Sequence, residues 1–199
     1  MAMARGRSWG FDRERALEQA MMLFWERGFG GASYTTLLSA MAVPHPNSLV
    51  AAFGPKAKLF EAALAAYWER HLGPVLACLD ADDPIAAFDS LLDQAARLYT
   101  AASPARGCLI LTSLVNGRPE DAGVTKLVAA YRARISDAIA GRLARAAANG
   151  HLSPTLVPAL TELILTTLCG IALRAQSGAH YEALVLGIDT VIEPLKAEI

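Results

Sequence analysis

The sequence predicts an all-α protein built in two helical parts, residues 1–55 and 56–199. Apolar residues recur at the three-and-four spacing of a helix along most of the chain. Gly and Pro fall where those runs stop, and no stretch alternates apolar and polar residues or carries β-α-β punctuation.

The first helix is expected behind Asp12 as N-cap, with Leu17, Ala20, Met21 and Phe24 on one face and its end near Arg27. Gly28 stands where a left-handed C′ residue is wanted, and Phe29 is placed to fold back on Phe24. Ser33 caps a second, short helix that turns Leu37, Leu38 and Met41 inward. Two prolines between Ala42 and Pro46 interrupt it, and a third helix starts around Pro46, burying Leu49 and Phe53 before Gly54-Pro55. A longer helix runs from Lys56 to about Leu72, where Gly73-Pro74 should stop it. Ile85 to Tyr99 is strongly amphipathic and closes at Ser103-Pro104, and a short apolar helix is expected from Cys108 to Val115. Val124 to Asn149 follows, with Arg132, Arg134, Arg142 and Arg145 mostly off its apolar side. Pro154 opens a Leu/Ile/Thr-rich run to about Gln176, and a last helix spans His180 to about Lys196.

With 54% hydrophobic and 19% charged residues over 199, the composition is that of a globular protein. A net charge of −1 removes any argument from overall basicity, so a nucleic-acid partner needs locally placed charge. Residues 1–60 supply it, with seven Lys or Arg against four Asp or Glu, whereas the rest carries eleven against fifteen. Cys78, Cys108 and Cys169 match neither a disulfide framework nor a metal knuckle, which points to a reducing cytoplasm and no metal. The uncharged runs 107–117 and 163–173 are eleven residues each, short of a membrane span. Enzyme signatures are missing: there is no Gly-rich phosphate loop, no His-Glu-x-x-His and no Gly-x-Ser-x-Gly, and His45, His71, His151 and His180 are scattered. Asp82 and Asp83 sit beside Pro84 as helix-capping residues. Neither catalysis nor a cofactor is indicated.

Three short helices within 55 residues have the shape of a helix-turn-helix DNA reader. Three stretches carry a more specific signal: Phe11-Asp12-Arg13-Glu14-Arg15-Ala16-Leu17, Leu23-Phe24-Trp25-Glu26-Arg27-Gly28-Phe29, and Ala51-Ala52-Phe53-Gly54-Pro55-Lys56 with Leu59-Phe60. They resemble the N-terminal domain of TetR-family transcriptional regulators, and the helical remainder, with Gly107-Cys108-Leu109, looks like that family's ligand-binding and dimerisation domain. The resemblance implies a cytoplasmic homodimeric repressor that reads a pseudo-palindromic double-stranded DNA operator and is released by a small-molecule effector. This chain departs from the family pattern at the reading head. One residue more than usual lies between Met41 and Phe53, Ala42 replaces a common turn glycine, and Val50 replaces a phosphate-contacting tyrosine. No Lys or Arg occurs from Gly28 through Pro55.

Neutral groups at helix N-termini can still hold phosphate. Ser33, Thr35 and Thr36 lie at one such end, and His45, Asn47 and Ser48 at another. Asn47 suits a bidentate contact to adenine, though it serves equally as a local turn former. Ser33 caps its helix with or without DNA, and His45 also reads as a solvated turn residue. Arg5 and Arg7 are expected as a DNA-reaching arm or a solubilising end, and Lys56 as a phosphate contact. In the second part Tyr67, His71, Tyr99, Cys108, Asn116 and Tyr131 are the groups expected to line a ligand cavity or pack in the core. Leu163, Ile164, Thr167, Leu168, Ile171 and Ile188 are the expected dimer interface. The alternative is a ligand-binding protein of this fold whose DNA head is degenerate.

Overall fold

A computed structural model describes residues 10–113 and 121–198, which form helices joined by short turns, with no strand among them. Two compact units result, Met1–Ala66 and Tyr67–Ile199. The division falls after Ala66, and Phe60 of the helix from Lys56 packs with Phe24 and Phe29 inside the first unit.

In that unit α1 (Arg13–Gly31) starts at Asp12, whose carboxylate accepts the Glu14 and Arg15 N–H groups at 3.0 and 3.1 Å. Ala16, Ala20, Met21 and Phe24 are buried along one face. Gly28 breaks the regular run at φ 66°, a conformation that a Cβ resists, and a further turn carries the helix past its expected end at Arg27. Phe29 then stacks on Phe24, 6.4 Å between ring centroids, as the reversal at Gly28 predicts. Phe60 of α4 (Lys56–Tyr67) completes the cluster, 5.0 Å from Phe24 and 5.2 Å from Phe29. Between them lie α2 (Tyr34–Ala40) and α3 (Pro46–Phe53), which bury Leu37, Met41, Leu49 and Phe53.

The bend joining α2 to α3 takes residues 41–45. It opens as a Schellman ending: Val43 N–H donates to the Leu38 carbonyl at 3.0 Å and Ala42 N–H to that of Ser39 at 3.3 Å. Ala42 therefore occupies the left-handed C′ place, at φ 52°. The missing turn glycine is thus not compensated by a different turn. The same turn is made at a steric cost.

The second unit opens with a correction. Gly73-Pro74 does not stop the helix: α4 passes into a π-turn at Trp68–Leu72, then α5 (Gly73–Leu76) and a 3-10 turn at Ala77–Asp80. Pro74 has no N–H, and its ring collides with the carbonyl four residues back. The wider turn, closed by Gly73 N–H on the Trp68 carbonyl, makes room for it. Asp83 caps α6 (Pro84–Thr100), accepting from Ile85 and Ala86 N–H. Then come α7 (Ala122–Ala148), α8 (Val157–Gln176) and α9 (Tyr181–Glu198). α8 packs against both α6 and α7, and α9 against α6.

The short helix expected from Cys108 is not a helix over its described part, residues 108–113, but a buried turn. Hydroxyls of Thr112 and Ser113 bond the Cys108 and Leu109 carbonyls, and Arg132 of α7 donates to those of Ile110, Leu111 and Ser113 at 3.0–3.4 Å. The Cys108 carbonyl keeps one helix-like bond from Thr112 N–H at 3.0 Å, and the carbonyls of Leu109, Ile110, Leu111 and Ser113 are satisfied by side chains. Gly107 admits the chain to this place: at φ 66°, a Cβ on it would lie 2.5 Å from the Ala172 carbonyl oxygen of α8. Arg142, expected on the outer side of α7, also turns inward: it is buried and donates to the Asp82 carbonyl at 2.7 Å. Arg145 stays exposed as expected and reaches the Leu79 carbonyl at 2.7 Å.

Of the expected dimer residues, Ile164, Leu168, Ile171 and Ile188 are buried in the chain's own core. The helices that carry them pack within the chain, α8 against α6 and α7 and α9 against α6. Thr167 is half-buried, its hydroxyl bonded to the Leu163 carbonyl, and Leu163 is exposed together with Leu173 and Leu186. The helical stretch Pro154–Gln176, at mean hydropathy 1.9, is long and apolar enough by length and composition to cross a membrane, because Glu162 and Arg174 bound its uncharged run without ending the helix.

The left-handed Ala42 yields the first prediction. Ala42→Gly relieves the Cβ strain and raises stability by about 0.5–1 kcal/mol, read as a higher urea midpoint at unchanged slope.

Candidate functional site

Ser33, Thr35 and Thr36 gather at the start of α2. The Ser33 hydroxyl accepts Thr36 N–H at 3.1 Å, and the Thr36 hydroxyl donates back to the Ser33 carbonyl at 2.9 Å. Two of the three hydroxyls are thus engaged in a local cap, while Thr35 is exposed. His45 takes the N-cap place of α3 through its backbone alone, with an exposed side chain that makes no capping bond. Asn47 is exposed one residue inside that helix and Ser48 is half-buried. Val50 stands out on α3 at 45% exposure. The Lys56 side chain lies with its ammonium 4.4 Å over the Phe29 ring. Its backbone N–H donates at 3.1 Å to the hydroxyl of Tyr34, the first residue of α2. Arg5 and Arg7 lie outside the described residues.

A second group of predicted residues meets inside the helical unit. Tyr67, Tyr99 and Cys108 are each fully buried, and the Tyr67 hydroxyl donates to Cys108 Sγ at 3.5 Å. The Tyr99 hydroxyl turns to the same thiol but makes no hydrogen bond. Burial pushes both phenols well above their usual range, and the thiol beside them adds to the effect, so both remain protonated donors. The His71 ring lies 5.6 Å from that of Tyr67. Tyr131 packs 5.6 Å from Trp68, with the Arg134 guanidinium 3.8 Å over the indole. Asn116 lies outside the described residues. Among the described residues no group of His, Cys, Asp and Glu is placed to hold a metal ion.

No family model matches the chain. It is 27% identical over 185 residues to the HTH-type transcriptional repressor ComR of Escherichia coli (strain K12), covering 92% of this chain and 88% of that one. It is 28% identical over 181 residues to the HTH-type transcriptional repressor BdcR of the same strain, covering 90% and 86%. Among solved structures, a cysteine mutant of the TetR family transcriptional regulator CifR, complexed with 26-bp double-strand operator DNA, superposes with a TM-score of 0.87 at 32% identity. That match covers 96% of this chain and 98% of the other. The chain belongs to the TetR family of transcriptional regulators.

Within a TetR-family head, the departures noted in the sequence acquire definite positions. Val50 projects outward from α3 and offers a phosphate only apolar surface. Sequence reasoning missed Tyr34, passed over as one uncharged residue among many, although a phenol directly after a capping serine was a readable signal. It also missed Trp68, Arg134 and Arg132, whose roles depend on which turn of α7 reaches which segment.

The buried trio sets the second prediction. Tyr67→Phe removes one of two donors to the thiol, leaving the Leu111 N–H, and costs about 0.5–1 kcal/mol. Tyr99→Phe removes a buried hydroxyl that has no partner, and stability is unchanged or raised. Urea unfolding of the two variants side by side checks the contrast, and equal losses would contradict it.

Proposed function

We propose that this TetR-family regulator is a homodimeric repressor that binds a pseudo-palindromic operator through α2 and α3 and is released when a small molecule enters the helical unit. The observation that carries this reading is the first unit's exposed residues Ser33, Thr35, His45 and Asn47 at the starts of α2 and α3, in a fold that superposes along nearly its whole length on a regulator complexed with operator DNA. The first unit reads DNA; the second dimerises and takes the effector. In this geometry two copies of α3 enter successive major grooves about 34–36 Å apart. Asn47 reads a base edge, and Lys56 with the arm at Arg5 and Arg7 holds phosphate. The cytoplasm is the compartment this activity requires.

Leu163, Leu173 and Leu186 support dimerisation through α8 and α9, since they are large, apolar and exposed on these two helices. The small residues Thr166, Cys169 and Gly170, exposed on α8, allow a partner helix to approach closely. Tyr67, Tyr99 and Cys108 are the polar groups an effector meets in the helical unit. It acts by binding better to the form whose heads are wrongly spaced, so its effect is limited by that difference in affinity. A second reading, a ligand-binding protein with a degenerate head, is favoured by exposed Val50 and by the lack of any Lys or Arg from Gly28 through Pro55.

Selection of genomic fragments by the purified protein, followed by affinity against salt, separates the two readings. A palindromic winner preferred strongly over a scrambled control supports the repressor, and no enrichment at low salt supports the degenerate head. On the selected site, Asn47→Ala loses about 1–3 kcal/mol of discrimination, while Lys56→Ala weakens all DNA alike and flattens the salt slope by about 1. Leu173→Glu shifts the sedimenting species from dimer toward monomer at micromolar concentration. A wild-type chain that already sediments as a monomer would refute the homodimer.

A further inference from the structure

We propose that Tyr34 is a DNA-phosphate contact of this chain, its hydroxyl donating to a phosphate oxygen while the Lys56 N–H fills one of its lone pairs. The inference rests on the operator-binding reading and adds to it the group that takes the place of the missing tyrosine on α3.

Tyr34 and Val50 are the large apolar side chains of the first unit that stand exposed among the described residues, at 43% and 45%. Exposure of a phenol on a small domain is ordinary; the way this one is held is not. Its oxygen accepts the Lys56 N–H at 3.1 Å across 22 positions of sequence, so the ring is fixed between the start of α2 and the start of α4. With the amide occupying the acceptor side, the phenolic proton is left to point away from the protein. An O–H whose oxygen already accepts a hydrogen bond is a stronger donor than one that does not.

The neighbouring groups make Tyr34 the better placed neutral donor on this edge. The hydroxyls of Ser33 and Thr36 are turned onto each other and onto their own backbone. The Lys56 ammonium rests on the face of Phe29. Val50 has no polar atom to offer. An anionic oxygen is the acceptor that rewards such a donor most, and a tyrosine with only two side-chain torsions, one end already tied, loses little freedom on binding.

The test uses the full-length protein and the DNA fragment that the wild type selects. Tyr34→Phe keeps the ring and removes only the hydroxyl. The expected result is a roughly tenfold or greater loss of affinity, equal on selected and scrambled DNA, with the salt slope unchanged because no cation is lost. Lys56→Ala, measured in parallel, changes that slope. Replacing single phosphates by neutral methylphosphonates should reveal one position at which wild type and Tyr34→Phe bind equally. If Tyr34→Phe lowers the urea midpoint but binds like wild type, the phenol is only a tie between helices and the proposal is overturned. It is overturned as well if the difference between the two proteins survives at every phosphate. A wild type that selects no DNA overturns both this proposal and the operator-binding reading, which separates the two failures.

Discussion

The contact of Phe24 with Phe29 and Phe60 is the constraint on which the first unit depends. Three rings from the end of α1, the residue after its break and the first turns of α4 close on one another, and each is buried. Loss of one such ring from a packed core costs on the order of 3–5 kcal/mol, a large share of a small domain's stability. Because the cluster ties the end of α1 to the start of α4, the stretch between them has fixed ends, and the two short helices within it are held without needing stability of their own. A seven-residue helix such as α2 would not persist alone in water.

That arrangement explains how a reading head can dispense with cations between Gly28 and Pro55. The helices are positioned by apolar packing, so their outer residues are released from structural duty and can be selected for hydrogen bonding. The edge then offers hydroxyls, an amide and free backbone N–H groups, each a short-range donor. Recognition of this kind depends on shape and distance more than on the counterion atmosphere of DNA. The local excess of positive charge in residues 1–60 lies outside the uncharged stretch, at Arg5, Arg7, Arg13, Arg15, Arg27, Lys56 and Lys58. In the proposed operator-binding reading, attraction and reading therefore fall to different residues.

Much of the fold was legible because its signals are local. Asp12, Ser33 and Asp83 cap helices, Gly28 reverses the chain, and Pro46 opens α3, each as the residue type dictates. What the sequence misplaced is governed by contacts distant along the chain. Apolar runs mark Ile164, Leu168 and Ile171 as buried without saying whether the covering surface is another chain or α6 and α7. Cys108 to Ser113 has the composition of a helix, yet Arg132 and two hydroxyls satisfy its carbonyls in a turn. Pro74 reads as a stop, and a single π-turn carries the helix past it. In the candidate site, Tyr67, Tyr99 and Cys108 do come together, while Tyr131 pairs with Trp68, a partner no spacing rule reveals.

The inward arginines of α7 have an electrical consequence. Arg142 is buried and Arg132 half-buried, and each donates to backbone carbonyl oxygen, although the buried Nε of Arg142 has no partner. Their charge is counted in the composition but is withdrawn from the water-facing surface, so the outer skin of the second unit is more negative than its eleven cations against fourteen anions indicate. A polyanion is repelled by that skin and drawn to the first unit, and the molecule acquires a polarity that its near-zero net charge conceals. In the proposed reading, encounters with DNA are in this way sorted before any base is read, the first unit attracting the polyanion and the second repelling it.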